Sequence, residues 1–153
     1  MADDGRARLV GINHIALEVG DVDAALAFYG RIFAFELRGQ NKAKDGTLDM
    51  AFIDMGDQFI ALSRGREQGP DRHRHFGLVV EDRSQVAALA RAAGAEMVEG
   101  PFLDFRDPWG NRIEVVEYRD IQFTKTDGAM ARLGASPDKS EKARKEIAER
   151  GLS

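Results

Sequence analysis

The sequence predicts an α+β fold of two β-α-β-β-β modules that pack together, followed by a helical C-terminal extension. Three observations carry this. Two strands of matching pattern carry a histidine near their start, Asn13-His14-Ile15-Ala16-Leu17-Glu18-Val19 and His75-Phe76-Gly77-Leu78-Val79-Val80, with the histidines 61 residues apart. The same offset relates Asp21 to Asp82 and Ala34-Phe35-Glu36 to Ala95-Glu96-Met97. Each half reads as a strand, a helix and three further strands. Such a unit cannot cover its own apolar face, so two of them belong against each other.

The elements follow in order. Met1 to Arg8 is polar and charged and reads as a flexible leader without a signal-peptide pattern. The first strand spans residues 9–19. Asp21 caps a helix carrying Val22, Ala25, Leu26 and Tyr29 at helical spacing. A strand follows at residues 33–38, then a polar, turn-rich loop at 39–46. Two strands at 48–55 and 58–63 are joined by the turn Gly56-Asp57, and residues 64–72, with Gly65, Gly69 and Pro70, form a linker. The second half repeats this: a strand at 75–80, Asp82, a helix with Val86, Leu89, Ala90 and Ala93 ending at Gly94, and a strand matching residues 34–36. Strands at 102–105 and 111–118 are split by the turn Asp107-Pro108-Trp109-Gly110. The chain thus divides into the leader, 1–8, one domain, 9–118, of repeats 9–64 and 73–118, and an extension, 119–153. In the extension residues 120–135 have no clear period. Ser136-Pro137 reads as a helix start, with pairs four apart such as Glu141 and Lys145 and a stop at Gly151. That helix is thin in apolar residues, as suits a solvated surface helix or an arm around a second subunit.

Composition narrows the function. With 153 residues, 43% of them hydrophobic and 31% charged, the chain is globular and forms one domain or two small repeats on one core. It has no cysteine, so disulfides and thiolate metal sites are excluded, and any metal must be held by His, Asp or Glu. It has no long apolar run, so no membrane span is expected, and the cytoplasm is the default location. A formal charge of −4 disfavours nucleic acid as a partner.

Side chains alternate across a strand. Ile15, Leu17 and Val19 therefore share the core face, and His14, Ala16 and Glu18 face away. Phe76, Leu78 and Val80 point inward, and His75 lies opposite. In the last strand Ile113 and Val115 point inward, and Glu114 lies opposite with Arg112. The repeat places Ala61 where the other half has Glu114. Two repeats therefore offer four equivalent positions on the outer face, His14, Ala61, His75 and Glu114, of which three can bind metal. Phe59, Ser63, Arg112 and Tyr118 line the same face if that parity holds, and Arg112 or Arg119 could hold an anionic substrate. Trp109 is explained by its turn or, alternatively, stacks on a substrate. Glu114 has a rival role as an ion-pair partner of Arg112 or Arg119, and His73 belongs to a solvated charged run. Glu18 is either a base or a strand-end charge.

The segments Asn13-His14-Ile15-Ala16-Leu17-Glu18-Val19, Ala27-Phe28-Tyr29, His75-Phe76-Gly77-Leu78-Val79-Val80 and Asp107-Pro108-Trp109-Gly110-Asn111-Arg112-Ile113-Glu114 resemble the vicinal oxygen chelate superfamily. Its members include glyoxalase I, fosfomycin resistance enzymes, extradiol dioxygenases and bleomycin-binding proteins. The resemblance implies a curved mixed-sheet cup around a divalent metal ion (Fe, Mn, Zn, Ni or Co), with His14, His75 and Glu114 as ligands, and a homodimer. It implies an enzyme in which the metal chelates adjacent oxygens of a small-molecule substrate and stabilises an enolate or oxyanion, as a lyase, dioxygenase or transferase. The alternative is a metal-free protein that sequesters an antibiotic. Ala61 stands where metal-dependent glyoxalase I has a fourth ligand, and Ala16 where fosfomycin resistance enzymes carry threonine. No catalytic base is assigned.

Overall fold

The computed structural model describes residues 6–153. Of the leader, residues 1–5 lie outside the described residues, and residues 6–8 run as exposed irregular chain. The first half forms β1 (His14–Val19), α1 (Val22–Ile32), β2 (Leu37–Lys42), β3 (Leu48–Asp54) and β4 (Phe59–Arg64), in a four-stranded sheet of order β1-β4-β3-β2. The second forms β5 (Phe76–Val80), α2 (Val86–Ala92), β6 (Glu96–Val98), β7 (Leu103–Arg106) and β8 (Arg112–Glu117), in a sheet of order β5-β8-β7-β6. β1 pairs parallel with β4 and β5 parallel with β8, and the other pairings are antiparallel. The fold is thus two mixed sheets of equivalent topology. β1 and β5 are each left with one open edge.

The alternation holds where it positions the core. Leu17, Val19, Ile60, Leu62, Leu78, Ile113 and Val115 are buried, while His14, Ala16 and Glu18 are exposed. α1 buries Val22, Ala25, Phe28, Tyr29 and Ile32, and the rings of Phe28 and Phe33 each lie 6.3 Å from that of Phe105 on β7. The helix of one module therefore packs on the sheet of the other. Burying a ring such as Phe105 stabilises this joint by about 1.5–3 kcal/mol.

Several boundaries differ from the sequence reading, each for a local reason. β1 starts at His14 because its partner β4 starts at Phe59, directly opposite, so residues 9–13 find no strand to pair with. Leu9 and Val10 are consequently 97% and 96% exposed. Residues 33–36 are irregular, because the Phe33 N–H still closes α1 by donating to the Tyr29 carbonyl. Gly39 to Lys42, read as loop, are drawn into β2 by pairing with β3, and the true loop is tied by Asp45, which accepts from the Thr47 N–H and hydroxyl. Asp21 caps α1 through the Ala24 N–H at 2.7 Å, whereas Asp82 accepts from the Ser84 N–H in a turn ahead of α2.

After β8 a short 3-10 turn (Tyr118–Asp120) leads to α3 (Asp127–Leu133) and α4 (Glu141–Glu149). α3 is capped by Thr126 and ends at Gly134 with φ 68°. α4 is capped by Ser140 rather than Ser136. The extension bridges the modules. Lys125 pairs with Asp57, Arg132 lies 2.9 Å from Asp54, and the Ser136 N–H donates to Glu81 of the second module at 3.1 Å. The Lys139 amine donates to the carbonyls of Tyr118, Ile121 and Phe123 and lies 3.4 Å from the centre of the Tyr118 ring. Burial there lowers its pKa below the ordinary lysine value.

Candidate metal and substrate site

β8 and the start of β5 bring His75 and Glu114 together. Their Nε2 and Oε2 atoms are 3.5 Å apart, with side chains 42% and 22% exposed. Register explains the meeting: Glu114 sits beside Gly77 on β5 and beside Asp104 on β7. A Cβ at Gly77 would touch nothing within 4 Å, so the face next to the Glu114 carboxylate is open. His75 Nδ1 lies 2.8 Å from the His73 carbonyl, which can only accept, so this nitrogen carries the proton. In neutral His75 the Nε2 lone pair then faces a carboxylate oxygen. Two acceptors turned toward each other call for a cation between them, either a proton or a metal ion. Two ligands on a tetrahedral ion with bonds of about 2.1 Å lie roughly 3.4 Å apart, close to the observed separation.

His14 is built the same way. Its Nδ1 is 2.8 Å from the Asn13 side-chain oxygen, and its ring stacks on Phe59 with centroids 4.7 Å apart and planes 8° from parallel. Phe59 in turn meets Phe52 edge-on, and the Arg38 guanidinium lies 4.8 Å over its ring. The Nε2 of His14 is again the nitrogen left for a ligand. Within one chain, however, His14 does not join His75 and Glu114. Among the described residues no three His, Asp or Glu side chains gather closely enough to hold a metal ion. The seam between the modules shows why. The end of β1 meets the turn before β8, where the Asn111 amide donates to the Glu18 carbonyl at 2.9 Å and Gly20 lies against Trp109. The start of β1 lines one cavity with residues 77–82 of β5 and the turn after it, and His75 and Glu114 lie outside that cavity.

That cavity has a volume of about 770 Å³. It is walled by β1 and β4 on one side and by β5 and α2 on the other, with Phe123, Lys125 and Leu133 of the extension closing it. His14 and Phe59 line it, and His75 and Glu114 do not. Ser63 lies half-buried on β4 opposite Glu18. Tyr118 is 6% exposed beneath the extension, its hydroxyl accepting from the Lys125 N–H. Trp109 packs against Gly20 between the modules. Arg112 lies on the Glu114 face, its Nε and Nη2 donating to Asp104 at 2.8 and 2.5 Å and its Nη1 to the Arg72 carbonyl.

Asp104 escaped the sequence reading. It is 3% exposed, faces away from the core because Phe105 faces into it, and leaves its Oδ1 without a hydrogen-bond partner. Alternation along β7 would have placed it beside Glu114. The turn at 107–110 also does more than reverse the chain. The buried Asp107 carboxylate accepts from the Tyr29 hydroxyl at 2.7 Å, from the backbone N–H groups of Trp109 and Asn111, and from the Asn111 amide. Burial, reinforced by the Asp107 charge and hydrogen bond, pushes the Tyr29 pKa well above its ordinary value. Arg66 reaches Asn111 at 2.6 Å and Asp71 at 3.3 Å. Burial opposes ionisation of Asp71, but the Arg74 hydrogen bond and the charges of Arg66 and Arg74 still hold its pKa below the ordinary value.

With this geometry in place, comparisons extend it. The sequence model of the Glyoxalase/Bleomycin resistance protein/Dioxygenase superfamily matches residues 11–115. An uncharacterized protein of Pseudomonas aeruginosa is 29% identical over 120 residues, covering 67% of this chain and 85% of that one. The fosfomycin resistance protein FosX of Listeria monocytogenes has a similar fold, with a TM-score of 0.61 and 24% identity over 72% of this chain and 93% of its own. A variant of that protein complexed with Mn(II) and 1S,2S-dihydroxypropylphosphonic acid gives a TM-score of 0.61 and 22% identity, covering 71% of this chain and 92% of its own.

Proposed function

The chain belongs to the Glyoxalase/Bleomycin resistance protein/Dioxygenase superfamily, and from that premise we propose that it is a metal-dependent enzyme acting on a small oxygen-bearing molecule. In this reading His75 and Glu114 of one chain, with His14 of a second copy, hold a divalent ion (Fe, Mn, Zn, Ni or Co) in a site assembled across a homodimer. The single observation that carries it is the pairing of His75 and Glu114, with Nε2 and Oε2 3.5 Å apart and the other ring nitrogen held by the His73 carbonyl. The neighbouring Listeria protein, complexed with Mn(II), supports a divalent metal for the fold. Two features support the second copy. His14 is exposed and has no carboxylate partner among the described residues, and the open edges of β1 and β5 are accompanied by the exposed apolar residues Leu9, Val10 and Ile12.

The chain's own residues do the following. The His73 carbonyl and the Asn13 amide fix both imidazoles in the tautomer that leaves Nε2 free. Phe59 backs the His14 ring and holds its plane. Gly77 keeps the floor beside Glu114 clear for substrate oxygens. When bound, the metal supplies Lewis acidity for an enolate or oxyanion. Two neutral imidazoles and one carboxylate leave a divalent ion with a charge of about +1 and open positions for such oxygens.

Mn(II) titration followed by electron paramagnetic resonance tests this. His14→Ala and Glu114→Ala should each lose binding. Mixing and refolding the two variants together in equal amounts should restore about a quarter of the sites, because half of the dimers are then mixed and one of the two sites in each mixed dimer keeps all three ligands. Loss without complementation would rule out the shared site, and failure of the wild type to bind any of the five ions would rule out metal dependence. The 770 Å³ cavity favours one other reading, a metal-free protein that sequesters a largely apolar ligand. It predicts ligand binding that survives both substitutions and chelator treatment.

A further inference from the structure

After β8 the chain leaves the body of the fold and returns to the same point. The Lys139 amine donates to the carbonyls of Tyr118, Ile121 and Phe123, and the Ser140 N–H donates to the Arg119 carbonyl at 2.8 Å. Residues 124–138, with α3 among them, therefore form a loop clasped at its base. An ammonium on three carbonyls and over the Tyr118 ring is a firm anchor, because charged hydrogen bonds are about twice as strong as neutral ones. The tip is held differently. Its polar ties are Lys125 with Asp57, Arg132 with Asp54 and the Ser136 N–H with Glu81. Asp57 is 59% exposed and Arg132 65% exposed, and ion pairs so open to water contribute little. α3 buries only Met130, and a gap of about 70 Å³ remains between it and Val79, Val80 and Tyr118. A segment with few buried apolar contacts and exposed polar ties opens before the body of the fold does.

This loop covers the cavity of about 770 Å³, one wall of which is Phe123, Lys125 and Leu133. Between the modules the cavity reaches the core-facing side chains Ile15 and Ile60 of the first and Leu78 and Val86 of the second. We infer that the cavity is a binding site for a neutral, largely hydrocarbon or aromatic small molecule, and that residues 124–138 are the flap that admits it. Its volume lies within the range of about 300–1,000 Å³ usual for small-molecule sites. Polar groups on its wall are engaged inside the protein: the Tyr29 hydroxyl on Asp107, the Gln58 amide on the Ile12 carbonyl, Lys125 on Asp57 and Asp54 with Arg132. A ligand rich in hydrogen-bonding groups would lose water there without replacement, whereas an apolar one gains by leaving water. The same reasoning disfavours a peptide segment, which brings a donor and an acceptor with each residue. His75 and Glu114 lie outside the cavity, so the site needs no metal. The inference shares with the second reading above only that the cavity takes a ligand. The flap itself lies beyond residue 115, where the family match ends, and is an addition to the matched region.

The chain has no cysteine, so one engineered pair can lock the flap reversibly. A Cβ added at Gly56 would lie 3.9 Å from the Cβ of Ala129 on α3, a separation that a disulfide spans. Gly56 has φ 87°, and the strain of a cysteine there is common to the oxidised and reduced forms. Prodan, a neutral apolar fluorophore, serves as the probe, and its entry is followed by stopped flow. Entry into the full chain carrying Gly56→Cys and Ala129→Cys should be at least about tenfold slower when oxidised, and dithiothreitol should restore it. Asp57→Ala with Arg132→Ala frees the tip, leaves the Lys139 clasp, and should speed entry about threefold. On titration the methyl signals of Ile15, Ile60, Leu78 and Val86 should shift in nuclear magnetic resonance spectra. Ala34→Trp, which brings a ring into the cavity from an exposed position, should weaken binding about tenfold. Equal entry rates in the oxidised and reduced forms would overturn the flap and leave the cavity reading standing. If the cysteine pair does not fold, an unchanged rate with Asp57→Ala and Arg132→Ala overturns the flap on its own. No prodan binding, methyl shifts confined to other residues, or binding that weakens with rising protein concentration as a second copy fills the cavity would overturn the site. Mn(II) binding is titrated alongside, and its absence sinks the metal reading and not this one.

Discussion

Replacing Gly110 with alanine should be among the most damaging single-methyl changes in the protein. The added Cβ would lie 2.6 Å from the Cα of Pro70 and 3.2 Å from its N and Cβ. The obstacle is backbone and a closed ring, so no rotamer change relieves it. Gly110 also sits at φ 92°, a conformation that costs an L-residue about 1–2 kcal/mol. Moving the linker away would stretch the hydrogen bond from the Asp71 N–H to the Gly110 carbonyl, now 2.8 Å, worth about 1 kcal/mol. Forcing a methyl into a packed contact costs about 1–3 kcal/mol more. The total, about 3–6 kcal/mol, is a large part of the roughly 5–15 kcal/mol that holds a domain folded. Gly65→Ala is the control. Gly65 has φ 117° but nothing within 4 Å of an added Cβ, so it carries the conformational cost alone. Urea unfolding followed by circular dichroism should show Gly110→Ala losing about 2 kcal/mol more than Gly65→Ala. Equal losses would refute the close-packing argument.

Two further outcomes follow from the polar contacts. Tyr29→Phe removes one of four donors from the buried Asp107 and should cost about 1–3 kcal/mol in urea unfolding. Because the folded-state pKa of Tyr29 is raised, its contribution is full below the unfolded value near 10 and is lost as pH rises through the higher folded value. Wild type should therefore lose stability in strong alkali more steeply than Tyr29→Phe, and parallel curves would count against the buried hydroxyl. Arg132→Ala cuts an ion pair whose arginine is 65% exposed, so the loss should be only about 0.5–1 kcal/mol and should shrink in high salt. A salt-independent loss would point to packing rather than charge.

What the sequence disclosed and what it withheld divide along physical lines. Alternation fixes strand faces because each strand has one side against the core, so Leu17, Leu78 and Ile113 were placed inward and His14, His75 and Glu114 outward. The approach of His75 to Glu114 follows from register between neighbouring strands of one module, and repeat symmetry was enough to suggest it. Symmetry does not say whether two modules close a site within a chain or between chains, because either pairing satisfies the same faces. That choice lies in contacts with no period: Trp109 against Gly20, Asn111 on the Glu18 carbonyl, and the Phe28 and Phe33 rings on Phe105. Asp104 was missed for a different reason. A lone acid in a short strand looks like solvent-facing charge until register sets it beside Glu114 and beneath Arg112.

The extension shows the same limit most sharply. α3 has seven residues and buries only Met130, so no apolar stripe could announce it. Thr126 at one end, Gly134 at the other, and ion pairs from Lys125 and Arg132 to the first module hold it in place. Each of these contacts is weak alone, and most are long-range. Together with the Ser136–Glu81 hydrogen bond they tie the turn between β3 and β4 to the residue after β5, beside the cavity that His14 lines. The family match stops at residue 115, before the extension begins. A segment outside the family match therefore braces the end of the seam where His14 lies, the end from which, in the proposed dimer, His14 would reach the second copy. On the reading proposed here, shortening the chain after β8 should disturb His14 before it disturbs His75 and Glu114.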